Sequence, residues 1–409
     1  MRRLPALQAG HQLRLFEGGR AFFMALTAAI DRARSRVQLE TYIFDFEGDA
    51  QAVAQAMERA ARRGVQVWLV VDGVGTGALP RDWVDRFDAA GVEWRIYSPL
   101  GRLGLMLPSR WRRLHRKLCV VDGETAFCGG INVLDDWRDH LGRALPHPRL
   151  DYAVEVQGAL VRHVQDTMTQ LWWRLQAVRY VRQRHFPEAF SAWRAGLGRF
   201  EWDEDVPLST GIFKTGRAAL LLRDNLRHRN QIERAYLRAL ASARSEVLLA
   251  NAYFLPGRRL RQALIAAAQR GVKVQLLLQG RRENFLAFHA ARMVYRPLLA
   301  AGIEIHEFEP SFLHAKVAVV DPTHERCWAT VGSSNLDPLS LLLAREANIV
   351  VGDRAFAGEL SQRLEQVMAA QSRRVRPEDI ARRPWWQRLQ DVWAFAVMRM
   401  ALWLTGHRY

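Results

Sequence analysis

Two stretches of this chain carry one pattern, His-x-Lys-x4-Asp: His115-Arg116-Lys117-Leu118-Cys119-Val120-Val121-Asp122 and His314-Ala315-Lys316-Val317-Ala318-Val319-Val320-Asp321. Each is followed by a glycine-led loop ending in asparagine, Gly129-Gly130-Ile131-Asn132 in one case and Gly332-Ser333-Ser334-Asn335 in the other. In a strand alternate side chains share a face, so His and Lys two apart point the same way, and the apolar run behind them reads as a buried strand. A two-residue turn at Gly123-Glu124 returns the chain antiparallel and brings Asn132 back towards His115. The second copy needs a longer turn, Pro322 to Arg326. A chain that repeats such a unit is committed to two similar folding units.

The duplication extends beyond the motifs. Ala33-Arg34-Ser35 matches Ala243-Arg244-Ser245 at an offset of 210 residues, Gly64-Val65-Gln66-Val67 matches Gly271-Val272-Lys273-Val274 at 207, and Ala89-Ala90-Gly91-Val92-Glu93 matches Ala300-Ala301-Gly302-Ile303-Glu304 at 211. The offset falls from 211 to 199 at the histidines, which places 12 extra residues before His115. In the first half, helical periodicity over 22–34, 50–63 and 81–90 alternates with strand-like runs over 37–44, 65–72 and 93–97. The pattern predicts an α/β chain of two similar domains, each a helix-covered mixed sheet, largely parallel where strands and helices alternate and antiparallel at the hairpin. Each closes with the hairpin, a strand at 151–156 or 346–351, and a helix at 163–179 or 356–369. Domains are expected at 1–179 and 212–383, with a surface connector at 180–211 and an unduplicated tail at 384–409.

Two His-Lys-Asn sets on duplicated halves predict one composite site at a pseudo-two-fold axis. Two imidazoles can divide a displacement at phosphorus. One is the nucleophile, forming a phosphohistidine; the other protonates the leaving oxygen and deprotonates the incoming alcohol or water. Lys117 and Lys316, with Asn132 and Asn335, supply donors to the non-bridging phosphoryl oxygens, so no metal or other cofactor is expected. Asp151 and Glu346 open the two closing strands at aligned positions and are the natural groups to orient the histidines. Asp122 and Asp321 complete the motif and stand with the catalytic set, although an Asp at such a turn also caps it through its own backbone. Ser333 is a phosphate donor or a group that satisfies its own loop. Glu40 is a weaker candidate, for headgroup hydroxyls or for capping a strand end. Arg116 is expected to contact phosphate or reach solvent. His289, among the histidines outside the motifs, reads as a surface or helix residue.

A net charge of +17, carried mostly by arginine, points to phosphate-rich partners, either nucleic acid or an anionic membrane. Three cysteines without a CxxC exclude a disulfide framework or zinc cluster and read as buried small hydrophobes. No apolar run long enough for a signal peptide follows Arg2 and Arg3, as expected of a cytosolic chain.

The paired motifs resemble the phospholipase D superfamily and, within it, the bacterial cardiolipin synthases of the B type. Further matching words include Leu39-Glu40-Thr41-Tyr42-Ile43-Phe44, Asp151-Tyr152-Ala153-Val154-Glu155-Val156 and Gly332-Ser333-Ser334-Asn335-Leu336-Asp337-Pro338-Leu339-Ser340. The resemblance implies two phospholipase D-like domains sharing one site, with His115 as nucleophile and His314 as acid and base. It further implies transfer of a phosphatidyl group between two phosphatidylglycerol molecules at the cytoplasmic face of the inner membrane, with no nucleic acid partner. Hydrolysis of phospholipid or nucleic acid stays open on the motifs alone, as does a basic binding protein with an inactive site. Two apolar stretches flanked by arginine favour lipid: 103–108 in the insertion before His115, and the tail from Trp385 to Leu404. Arg388, Asp391 and Arg399 interrupt the tail and make it an interfacial helix rather than a spanning one, the alternative being packing on the protein itself.

Overall fold

The computed structural model describes residues 4–99, 111–139, 142–196, 216–224, 228–283, 285–337 and 344–404. The first half runs β1 (Gln8–Glu17), α1 (Gly19–Arg32), β2 (Arg36–Thr41), α2 (Gly48–Arg62), β3 (Gln66–Asp72), α3 (Arg81–Ala90), β4 (Glu93–Tyr97), β5 (Arg113–Leu114), β6 (Lys117–Val121), β7 (Thr125–Gly129), β8 (Tyr152–Gln157) and α4 (Leu160–Arg182), then α5 (Phe186–Ala195). The second half opens with β9 (Gly216–Arg223), α6 (Gln231–Ser242), β10 (Glu246–Asn251), α7 (Arg258–Gln269), β11 (Lys273–Gln279), α8 (Phe285–Arg292), α9 (Tyr295–Ala300) and β12 (Glu304–Phe308). It continues through β13 (Lys316–Val320), β14 (Trp328–Gly332), β15 (Ala344–Val351), α10 (Arg354–Gln371), β16 (Ser372–Val375), α11 (Pro377–Ala381) and α12 (Trp385–Leu404).

Read outward from the middle, β1-β8-β7-β6-β2-β3-β4 and β9-β15-β14-β13-β10-β11-β12 are the same series of neighbours, joined by antiparallel pairing of β1 with β9 at the pseudo-two-fold axis. Within each half parallel pairing is confined to β2-β3-β4 and β10-β11-β12, because β6 and β13 enter antiparallel beside β2 and β10. Each sheet is therefore mixed, as expected. Helices cover both faces: Leu160, Val164 and Met168 of α4 and Phe356, Leu360 and Leu364 of α10 lie on the inner side. Leu118, Val120 and Val154 of the first sheet pack in one cluster with Val317, Val319 and Ile349 of the second. Alternate residues face outward: Val37, Leu39 and Val67 meet Ile30, Val53 and Met57 of α1 and α2, and Val247, Leu249 and Val274 meet Leu240 and Leu264 of α6 and α7. The result is two sheets with helices on their outer faces and with α4 and α10 in the shared inner core that ties the halves together. Cys119, Cys128 and Cys327 are free and buried.

The connector is more regular than expected over its described part. Helix α4 runs on to Arg182, and α5 follows with Phe186, Phe190 and Trp193 all exposed. The tail helix α12 does two things. Asp391, Ala394 and Met398 are buried against the second half, while Trp385, Leu389, Val392, Trp393 and Met400 stay exposed. Asp391 accepts from His289 Nδ1 at 2.7 Å and Arg383 at 2.7 Å, so His289 lies on a helix as expected but is buried rather than at the surface. No helix among the described residues is long and apolar enough to cross a membrane. The apolar stretch 103–108 lies outside the described residues.

Candidate active site

The strand expected to start at His115 breaks there. Residues Arg113–Leu114 form β5, which pairs in parallel with the start of β15 in the other half, and His115 N donates to Arg345 O at 3.0 Å. The second half does the same in reverse: Leu150 bridges Leu313, and His314 N donates to Leu150 O at 2.8 Å. Each histidine is thus delivered beside the first residue of the opposite closing strand. His115 Nδ1 lies 3.1 Å from Glu346 Oε2, and His314 Nδ1 lies 2.6 Å from Asp151 Oδ2. The carboxylate that orients each imidazole comes from the other half. With Nδ1 taken, Nε2 of each ring is left for substrate.

Two residues absent from the sequence reading hold these segments in place. Asp72, at the end of β3, accepts Leu114 N at 2.7 Å and Arg113 at 3.2 Å. Gln279, at the end of β11, accepts Leu313 N at 2.9 Å. They occupy positions related by the 207-residue offset, but as different residue types they formed no motif. Tyr42 completes the first-half wall, its ring 5.0 Å from that of His115 and 5.4 Å from Lys117 Nζ.

Each lysine donates to the carbonyl of its own histidine, Lys117 at 2.6 Å and Lys316 to His314 O. Burial and the neighbouring Lys316 lower Lys117 to about 7, and burial lowers Lys316 to about 8. Two ammonium groups in a desolvated site await an anion. Asn132 accepts Ile43 N at 3.1 Å, while Asn335 Oδ1 is buried with no partner among the described residues. The two orienting carboxylates differ. Burial would raise Glu346, but His115, Lys117 and the Ser333 hydroxyl carry it below its ordinary value, whereas burial pushes Asp151 up to about 7 against the pull of Lys316. Burial lowers His115, and burial with Lys316 and Lys117 puts His314 well below the usual imidazole range. The shifts thus favour a neutral His115 beside a carboxylate and a coupled His314–Asp151 pair whose carboxyl is the more basic of the two orienting groups.

Geometry takes Asp122, Asp321, Ser333, Glu40 and Arg116 away from substrate, the turn-capping reading of the two aspartates being the one it matches. Asp122 and Asp321 lie at the far ends of β6 and β13, roughly 20 Å of strand from the histidines. Asp122 accepts from the backbone N–H groups of Arg34, Ser35 and Arg36 at 2.8, 2.9 and 2.9 Å; Asp321 does the same for Arg244, Ser245 and Glu246 at 2.9, 2.8 and 3.1 Å. Ser333 is fully buried with its hydroxyl donated to Glu346, so it fixes the carboxylate rather than a phosphate. Glu40 is buried and bound by Arg116 at 2.5 and 3.0 Å, so neither meets headgroup or solvent. Arg116 points to the opposite face from His115 and Lys117, and there it lies under α4, donating to Thr167 O at 3.2 Å. In the first half Gly130 replaces Ser333, because a Cβ there would collide with the Asp151 carboxylate.

Among the described residues, no group of three His, Cys, Asp or Glu side chains could hold a metal ion. The sequence profile of the "Cardiolipin synthase, PLD-like domain" family matches residues 26–138 and 236–368, one span in each half. The chain is 37% identical over 406 residues to Cardiolipin synthase B of Escherichia coli strain K12, covering 97% of this chain and 91% of that one. It is 30% identical over 385 residues to Cardiolipin synthase A of Pseudomonas putida strain W619, covering 92% and 72%. The crystal structure of phosphatidylserine synthase from Haemophilus influenzae Rd KW20 superposes with a TM-score of 0.66 at 12% identity, covering 97% of this chain and 96% of that one, which shows a common fold. With both spans of the profile matched and the relatives aligned nearly end to end, the chain belongs to the cardiolipin synthase family of phospholipase D-like enzymes.

Proposed function

We propose that this protein transfers a phosphatidyl group from one phosphatidylglycerol to the free hydroxyl of a second, giving cardiolipin and glycerol through a covalent phosphohistidine. The observation that carries the mechanism is the crossed geometry of the two pairs, His115 on Glu346 and His314 on Asp151, whose carboxylates are shifted in opposite directions, Glu346 down and Asp151 up. His115 Nε2 attacks phosphorus, the P–O bond to glycerol breaks, and the leaving oxygen takes its proton from the His314–Asp151 pair. The second lipid's hydroxyl then returns a proton to that pair and attacks phosphorus, the P–N bond breaks, and His115 is regenerated. Lys117, Lys316, Asn132 and Asn335 hold the non-bridging oxygens through both steps. The names of the relatives support cardiolipin as the product. The exposed apolar face of α12, with Arg388 and Arg399 also exposed, supports a peripheral position on an anionic bilayer, which we place at the cytoplasmic face of the inner membrane.

Purified protein given labelled phosphatidylglycerol vesicles in excess EDTA should release glycerol and form cardiolipin, because lysines and asparagines supply the charge stabilisation that a metal would otherwise supply. Phosphatidic acid as the dominant product would mark a hydrolase instead.

A further inference from the structure

A cleft of about 610 Å³ lies between α11–α12 and the outer edge of the second half, and none of the catalytic histidines or lysines lines it. Its floor is an ion triad. Glu307, 3% exposed, takes Arg292 at 2.7 Å on one oxygen and Arg373 at 2.6 Å on the other. Arg373 is held further by Glu309 at 2.9 Å and Asp379 at 3.3 Å, so the floor itself is charge-compensated. At the mouth Arg282 and Arg382 are exposed, and among the described residues neither side chain makes a hydrogen bond or ion pair; Arg282 only lies 6.0 Å from the Phe285 ring centroid. Arg383 is paired with Asp391 at 2.7 Å, so the charge left to attract an anion is that of Arg282 and Arg382 at the mouth. Trp386 on its rim continues into the exposed apolar face of α12.

We propose that this cleft is a second lipid site, binding the phosphate of an anionic phospholipid headgroup while the adjoining face of α12 lies in the headgroup layer. Guanidiniums recognise phosphate oxygens through paired N–H donors, and tryptophans sit well at the boundary between headgroups and acyl chains. A soluble phosphate ester shares the first of these needs but makes no use of the exposed apolar face, which is why the lipid is the occupant. The inference rests on the lipid reading of the active site, yet it concerns docking and is tested without turnover.

The test is the double variant Arg282→Gln/Arg382→Gln, at two exposed side chains without a hydrogen bond or ion pair among the described residues, compared with Arg20→Gln/Arg81→Gln, which removes the same charge from exposed positions on the first half. Co-sedimentation with phosphatidylglycerol vesicles should weaken about tenfold for the cleft variant and little for the control, with the weak binding to phosphatidylcholine vesicles unchanged in both. Turnover of a short-chain, monomeric phosphatidylglycerol should stay at the wild-type rate in both, and its absence from wild type too would count against the proposed reaction and not against the cleft. Equal losses in the two variants would reduce the effect to diffuse charge and overturn the site. So would undiminished vesicle binding by the cleft variant. Saturable binding of glycerol phosphate that the cleft variant loses while keeping its vesicle affinity would make the cleft a soluble-anion site and overturn the lipid assignment.

Discussion

At the scale of single residues, the chemistry turns on how burial treats like and unlike charges. Lys117 and Lys316, held at about 7 and about 8, are charged only in part at neutral pH until an anion joins them. Their pKa values are lowered, so the charged form is lost as pH rises through that range, and binding a phosphodiester restores it by taking up protons. The expected profile has kcat/KM falling above pH about 8 while kcat, measured with phosphate already bound, holds to higher pH. A kcat/KM that stays level through the alkaline range would contradict this. The histidines, lysines and asparagines were legible because residue type and spacing repeat. Arg116 was not, since what lies on the other face of β6 is decided by α4, a helix whose path no local pattern fixes. Glu40 and Arg116 form a buried pair whose partners are 76 residues apart.

At the scale of elements, the repeated Ala-Arg-Ser words acquire a reason. They lead into β2 and β10, and their backbone N–H groups are what Asp122 and Asp321 bind. Both aspartates have left-handed backbones, φ 53° and 49°, as a tight turn after β6 or β13 requires. One residue at each hairpin turn thus fixes the hairpin to the strand beside it, and the motif keeps its Asp for folding rather than for catalysis. Asp122→Ala should lower stability by about 3 kcal/mol, having orphaned several donors, with kcat of the folded fraction unchanged. Urea unfolding and a saturating-substrate assay separate the two effects; a large fall in kcat at normal stability would restore Asp122 to the catalytic set. Elements with long periodic runs were legible almost to the residue, such as α3 and β4. The strands β1 and β9 were not, because what makes each a strand is its pairing across the molecule's axis.

At the scale of the whole molecule, the halves are two folding units but one catalyst. The inner sheet faces meet in one core together with α4 and α10, and the same contact passes β5 to β15 and Leu150 to Leu313. The pairing of His115 with Glu346 spans 231 residues of chain, and that of His314 with Asp151 spans 163, so the composite site was foreseeable from the duplicated motifs while its crossing was not. The division of labour proposed for this site has His115 as nucleophile and the His314–Asp151 pair as proton carrier. The most direct measurement uses His314→Ala with a phosphatidyl ester of p-nitrophenol, a leaving group that departs without an acid. The account predicts a burst of one equivalent of p-nitrophenol, almost no turnover, and a phosphatidyl adduct on the peptide containing His115 by mass spectrometry, with no burst in His115→Ala. An adduct on any other residue, or full turnover without an adduct, would contradict it.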